Sequence, residues 1–322
     1  MNPRSRRRKH TISQLNLMVV GFKALGKTSF IRMLADTLHN RQHDKDELPP
    51  AVFEVCQSPE DVGTKELYSF TTEVEEEGEK ISLTLVDTPG FVKDNELRLD
   101  VQVTEVLRYI EAQFDQTLAE ETKVKRNPRA VDSQIHACVY FIDNANNGLS
   151  DKDIRILKRI TARVNVLPVV AKADLLTTTQ LAKLKQAITN DLKTHQIPVF
   201  AFTAEDDEDV ESEIVEDIEK LQKLLPFSVI APEDAEITDP STGQIIRGRQ
   251  YAWGVIDCLN SKHCDFVVLK NVLMNTHRRL FKAMTLEVFY EQYRTERLLA
   301  RKASRMISKE QKKKLLDDLS EI

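Results

Sequence analysis

Short apolar runs alternate with helical patterns through the first two thirds of the chain, and that alternation sets the fold class. Leu15–Val20 (LNLMVV) is a strand-length run that ends at Gly21. From Lys27 to about Leu38, apolar residues at 30, 31, 34 and 38 keep the spacing of one helix face. Two strands are predicted near Tyr68–Val74 and Ile81–Val86, joined by EEEGEK with Gly78 available for a positive φ. A long helix is expected over roughly Leu97 to Lys123. The apolar run Ala137–Ile142 (ACVYFI) follows, then a helix opening near Ser150, where Ser-Asp-Lys-Asp suits an N-cap and an acidic first turn. Val164–Ala171 predicts a strand, Thr177–Leu192 a helix and Pro198–Phe202 (PVFAF) a further strand. Strands that alternate with helices and are apolar on both faces imply an α/β fold with a mostly parallel, buried sheet.

Composition narrows the class without redirecting it. The 322 residues are 41% hydrophobic and 30% charged, which excludes collagen, a mucin-like stalk and wholesale disorder. No apolar run approaches the roughly 18 residues of a membrane-spanning helix. Met1–His10 lacks the apolar stretch of a secretory signal. Cys56, Cys138, Cys258 and Cys264 are too sparse for a disulfide framework, so a reducing, cytosolic setting is expected. The net charge of −5 argues against bulk nucleic-acid affinity. It is unevenly spread: Arg4, Arg6, Arg7, Arg8 and Lys9 form a basic cluster, whereas Glu205–Asp217 is an acidic run expected to be solvated surface. The basic cluster suits either a nuclear signal or an anionic lipid surface.

The chemistry is carried by Gly21-Phe-Lys-Ala-Leu-Gly26-Lys27-Thr28, which satisfies G-x-x-x-x-G-K-[ST] at every fixed position. An accidental match is expected in on the order of one chain in a hundred, and this one follows a strand and opens a helix. Its glycines let backbone N–H groups surround phosphate oxygens at a helix N-terminus. Lys27 is placed to bridge the β- and γ-phosphates, and the Thr28 hydroxyl to ligate Mg²⁺. Asp87 closes the Ile81–Val86 strand, where a carboxylate can hold a metal-bound water, and Gly90 can offer an unobstructed N–H to the γ-phosphate. At the end of the next strand but one stands Ala171-Lys172-Ala173-Asp174. A carboxylate offers only acceptors, which pair with the N1–H and N2–H of guanine and not with adenine, while the Lys172 stem can cover the base. GTP is favoured over ATP.

With those residues in view, the chain resembles the septin family of GTP-binding cytoskeletal proteins. The resemblance lies in Asp87-Thr-Pro-Gly-Phe91, Ala171–Asp174 and Ile135–Ile142. It is most specific in Arg247-Gly-Arg-Gln-Tyr-Ala-Trp-Gly254, Asn260, His263-Cys-Asp-Phe266 and Tyr290-Glu-Gln-Tyr-Arg294. It runs from about Leu15 to Leu299. It implies a P-loop GTPase fold with a family-specific C-terminal α/β extension: a basic segment over 1–14, the core over 15–232, the specific element over 233–299 and a Lys-rich tail over 300–322. It places Gly21, Phe22, Lys23, Ala24, Leu25, Gly26, Lys27, Thr28 and Ser29 around the phosphates. It also puts Thr64 in the first switch as a water-orienting residue, Gly90 in the second, Lys172, Asp174 and Ala231 at the base, and Arg249 on the base-side wall. The expected cofactors are GTP or GDP with Mg²⁺, the metal held through Thr28 and Asp87. Lys27 and Thr64 would be the catalytic pair of a slow GTPase.

Several positions depart from the family pattern. Asp143-Asn-Ala-Asn-Asn-Gly-Leu149 stands where Pro-Thr-Gly-His-Gly-Leu is usual, and Val92 replaces a Gly after Phe91. Ala231 stands where a base-contacting Gly is usual, and Ala252 replaces a Pro. Each leaves Lys27, Thr28 and Asp174 in place. The implied role is a subunit of hetero-oligomeric filaments, with one contact on the nucleotide side and one between terminal regions, at the cell cortex or division site. A monomeric signalling switch and a subunit that holds GTP without hydrolysing it are the alternatives. Phe266, Leu269, Leu273, Leu280 and Met284 are expected on a helix face packed on the sheet. Residues 300–322 hold about three heptads, too few for a coiled coil, as in a short or truncated form. Cys258, His263 and Cys264 fit no zinc pattern, and Trp253 is expected as a packed anchor beside the subunit contact rather than a ligand platform.

Overall fold

The computed structural model describes residues 12–39, 67–76, 78–125, 127, 131–201, 219–233, 237–238, 243 and 245–304. Thr64, the basic cluster Arg4–Lys9, Cys56, the acidic run and all but the start of the 300–322 tail lie outside them.

Three consecutive buried strands make the centre of the sheet. β1 (Ser13–Gly21), β4 (Ala137–Ile142) and β5 (Asn165–Val170) are buried at nearly every position, so both faces of the sheet are covered. With β2 (Tyr68–Glu76), β3 (Glu79–Asp87) and β6 (Phe227–Ser228) they form one sheet in the order β2-β3-β1-β4-β5-β6. Every pairing is parallel except β2 with β3. That hairpin turns at Gly78, whose φ of +78° needs a residue without Cβ strain. β2 alternates between buried and accessible positions, as an edge strand with one solvated face does.

The helices begin where local chemistry places them. α1 (Lys27–His39) starts directly from the phosphate-type loop. α2 (Glu96–Glu121) is capped by Asn95, which accepts from the Arg98 N–H at 3.1 Å. Its buried stripe runs Leu99, Val103, Val106, Ile110, Phe114 and Leu118. α3 (Asp151–Ile160) and α4 (Thr178–Thr194) each carry a complete capping box, Ser150 with Asp153 and Thr177 with Gln180.

One predicted strand does not form. Residues 198–201 are irregular, although Phe200 donates its N–H to the Val166 carbonyl at 3.0 Å as a ladder residue would. The far edge of β5 is taken instead by Phe227–Ser228, paired with Val169 and Val170. Of this segment Phe200 enters the core, where it packs on Phe281 at 4.5 Å, but burial alone does not confer a ladder.

Beyond the main sheet, β7 (Ile237–Thr238) pairs with β8 (Ile245–Ile246), and β9 (Gly248–Tyr251) with β10 (Gly254–Asp257), both antiparallel. The Gly248 carbonyl accepts from the Glu233 N–H at 2.9 Å, which ties the β9–β10 hairpin to the segment leaving β6. A Cβ on Gly248 would overlap the Ile256 carbonyl oxygen. Gly248→Ala is therefore expected to lose about 1–3 kcal/mol and several degrees of melting temperature, read by thermal denaturation.

α5 (Phe266–Asn271) and α6 (Arg278–Met284) each run into a π-helical segment, at 272–276 and 285–290, and helical residues continue to 304. Phe266, Leu269 and Leu273 are buried, and Leu280 and Met284 pack against the same core. The second π segment has a visible cause: the Phe281 carbonyl accepts from Asn165 Nδ2 at 3.1 Å and from Thr285 Oγ1 at 2.7 Å.

Candidate functional site

The loop between β1 and α1 brings Gly21 to Thr28 to the C-terminal end of the parallel strands, where open α/β sheets bind ligands. Its backbone turns through left-handed conformations at Ala24 (φ +61°) and Gly26 (φ +82°). A Cβ on Gly26 would press on Ala231 at 3.1 Å, so the residue predicted at the base lies against the phosphate-type loop itself. The first turn of α1 leaves its leading N–H groups without intrahelical acceptors, the usual provision for an anion.

Lys27 is buried, and its ammonium donates to the carbonyls of Phe22 at 2.8 Å and Gly21 at 3.1 Å. Burial pulls its pKa down from 10.5 to about 8, against the opposing pull of Asp87. The unfolded chain binds that proton more tightly, so stability of the ligand-free protein should rise as pH climbs from about 8 to 10.5. A bound phosphate restores the charged form. Nucleotide affinity is therefore expected to hold below pH 8 and to fall up to about tenfold per pH unit above it, measurable by titration calorimetry.

Thr28 Oγ1 donates to Asp87 Oδ2 at 2.6 Å, which joins the two predicted metal-side residues across 59 positions of sequence. A hydroxyl and a carboxylate are the hard oxygen donors that Mg²⁺ prefers, and too few to hold it without phosphate and water. Among the described residues no group of three or more His, Cys, Asp or Glu side chains could hold a metal ion.

The Asp87–Phe91 segment is fastened to the loop. Phe91 N–H donates to the Gly21 carbonyl and Lys23 N–H to the Phe91 carbonyl, both at 3.1 Å. Phe22 and Phe91 meet edge to face at 6.1 Å. Gly90 lies directly on Lys23, where a Cβ would stand 2.5 Å from the Lys23 Cα, so here its lack of a side chain serves close packing. Val92, which stands where the family pattern has Gly, donates its N–H to Gln102 Oε1 at 3.0 Å. Lys93 pairs with Asp143.

At the other end of the site, Lys172 adopts a left-handed conformation and Asn144 Nδ2 holds its carbonyl at 2.8 Å. Asp174 follows, its side chain fully buried. Its Oδ2 accepts from Arg249 Nη1 at 3.1 Å and from the Tyr251 hydroxyl. Ser29 continues into α1. The loop, Thr28, Asp87, Gly90, Ala231, Lys172, Asp174 and Arg249 thus line one end of the sheet.

Asn144 and Tyr251 were not singled out by residue type. Asn144 sits in the divergent 143–149 segment, and Tyr251 in the Arg247–Gly254 block, and only those groupings pointed to them. Trp253, expected as an anchor beside a subunit contact, is 71% exposed in the single chain and stacks on Tyr251 with ring centroids 5.0 Å apart. His263 and Cys264 serve locally: the His263 ring accepts from the Asp257 N–H at 3.1 Å, and Cys264 Sγ contacts the Cys258 carbonyl at 3.0 Å.

The family model for septins matches residues 12–306. The septin homolog spn3 of Schizosaccharomyces pombe is 37% identical over 290 residues, covering 88% of this chain and 73% of that protein. Cell division control protein 11 of Saccharomyces cerevisiae is 34% identical over 301 residues, covering 91% and 69%. Among solved structures, that of Cdc11 from Saccharomyces cerevisiae superposes with a TM-score of 0.56 at 25% identity, over 88% of this chain and 99% of that one. The septin GTPase domain from Chlamydomonas reinhardtii gives a TM-score of 0.62 at 22% identity, over 88% and 100%.

Proposed function

This chain belongs to the septin family, and on that premise we propose that it is a guanine-nucleotide-binding subunit of hetero-oligomeric septin filaments. The observation that carries the nucleotide reading is the joint placement of a buried Lys27 in the phosphate-type loop and a buried Asp174 beyond the end of β5. One is a cation suited to phosphate. The other is an acceptor suited to the N1–H and N2–H edge of guanine.

Thr28 and Asp87 would hold a Mg²⁺, which when bound supplies charge neutralisation at the phosphates. The chain's own residues do the rest: Lys27 binds and orients phosphate oxygens, the backbone from Ala24 to Thr28 cradles them, and Phe22 and Phe91 shield the floor of the loop. Hydrolysis is proposed to be slow or absent. Thr64 is the proposed water-orienting residue. The fastening of Phe91 to Lys23 supports a second reading, a subunit that keeps GTP, because it commits the second switch to the loop.

Filament growth through a nucleotide-side and a terminal-side contact, association with anionic lipid through Arg4–Lys9, and residence in septin structures at the cortex or division site complete the proposal. Among the described residues no helix is long and apolar enough to cross a membrane. The relatives' names, a septin homolog and a cell division control protein, support the division role.

The nucleotide released by denaturing the purified protein, identified by chromatography, tests the reading. GDP supports a hydrolysing subunit and unhydrolysed GTP the second reading. A protein that is empty and takes up no guanine nucleotide overturns both. Sedimentation with other septin subunits tests assembly, and a chain that stays monomeric in their presence counts against the filament role.

A further inference from the structure

The two oxygens of Asp174 are treated differently. Oδ2 accepts from both Tyr251 and Arg249, whereas Oδ1 is enclosed and has no hydrogen-bond partner among the described residues. An enclosed acceptor left open is costly unless a ligand completes it. Which way that oxygen faces depends on what stops the carboxylate turning about its terminal torsion.

Arg249 and Tyr251 lie two residues apart on β9, hence on one side of the strand, and both reach Asp174. They are not equivalent. Arg249 is a long side chain, 31% exposed, with its Nε also 3.7 Å from Glu233. Tyr251 has two torsions, and its ring is stacked on Trp253 at an interplanar angle of 6°. We propose that Tyr251 is a positioning residue for base recognition: its hydroxyl donates to Asp174 Oδ2 and holds the carboxylate so that Oδ1 remains for a purine carrying both N1–H and an exocyclic amine. Burial, and then the bond to Asp174, push the Tyr251 phenol up to about 12, so it keeps the proton it donates. Through the stacked ring, Trp253 has a share in the same geometry. This rests on the proposed guanine site at Asp174 and adds the residue that sets its selectivity.

The test compares GDP with IDP, whose base lacks the exocyclic amine, on full-length wild type and Tyr251→Phe by titration calorimetry. Wild type is expected to prefer GDP. In the variant GDP should weaken about tenfold or more, the loss of one hydrogen bond to a charged group, while IDP weakens less. The GDP-to-IDP preference should therefore shrink several-fold. A role confined to folding would weaken both nucleotides by the same factor, and that result, or no change, overturns the proposal. Wild type that binds neither nucleotide overturns the site reading instead. Should Tyr251→Phe fail to fold, Trp253→Ala keeps the hydroxyl and removes only its exposed stacking partner. It should shrink the same preference to a smaller degree, and an unchanged preference there also overturns the proposal.

Discussion

Replacing Lys27 with Met is expected to abolish measurable nucleotide binding while leaving the melting temperature of the ligand-free protein within a few degrees of wild type. The two effects separate because the ammonium is held at a loss when no phosphate is present. A pKa lowered from 10.5 to about 8 corresponds to about 3 kcal/mol set against the folded state at neutral pH. Removing the charge recovers that amount. Against it stands the Phe22 carbonyl, which loses the Lys27 donor at about 1–3 kcal/mol, whereas the Gly21 carbonyl keeps the Phe91 N–H. The terms nearly offset. Binding has no such compensation: each hydrogen bond from an ammonium to phosphate contributes about 1.5–3 kcal/mol, and two lost together reduce affinity about a hundredfold or more. Thermal denaturation with and without GDP reads both quantities. A variant that melts far below wild type, or that GDP still stabilises fully, would contradict this account of Lys27.

Asp174→Asn should exchange guanine for xanthine. The structure shows how the amide would settle: the oxygen takes over the place of Oδ2, accepting from Tyr251 and Arg249, because the Arg249 guanidinium can only donate and excludes an amide nitrogen there. The amide nitrogen then stands where Oδ1 stands, and an acceptor facing the base becomes a donor. Guanine meets it with N–H groups of the same sense, whereas xanthine offers a carbonyl at that edge. GDP affinity should fall at least a hundredfold and XDP should become the preferred ligand, read by competition between the two diphosphates. If Arg249 instead loses its hold and the amide turns over, GDP and XDP would weaken together. Unchanged GDP binding would remove Asp174 from the base site.

How much of this was readable beforehand follows from how local each feature is. The phosphate-type loop, the helix it opens and the Ser150 cap are contiguous in the chain, and their chemistry acts over four to eight residues. The buried strands β1, β4 and β5 declared themselves by apolar runs, since a parallel sheet covered on both faces has no polar positions to interrupt them. Asp87 was legible because it closes β3, and Asp174 because it lies in the turn shortly beyond the end of β5.

What tertiary structure decided is everything that depends on approach between distant segments. PVFAF has strand composition, yet β5 has one free edge, and Phe227–Ser228 takes it. Gly90 looked like a phosphate donor, and packing also made it the place where the second switch touches Lys23. Tyr251 meets Asp174 across 77 residues and Asn144 meets Lys172 across 28, with no periodicity to announce either pairing. Side-chain hydrogen bonds of that kind are set by where a completed sheet and hairpin bring two backbones, and a single chain carries no local signal for the distance between them. The residue types capable of binding a guanine nucleotide are therefore written along the chain, while the orientation of the carboxylate proposed to read the base is a property of the folded hairpin beside it.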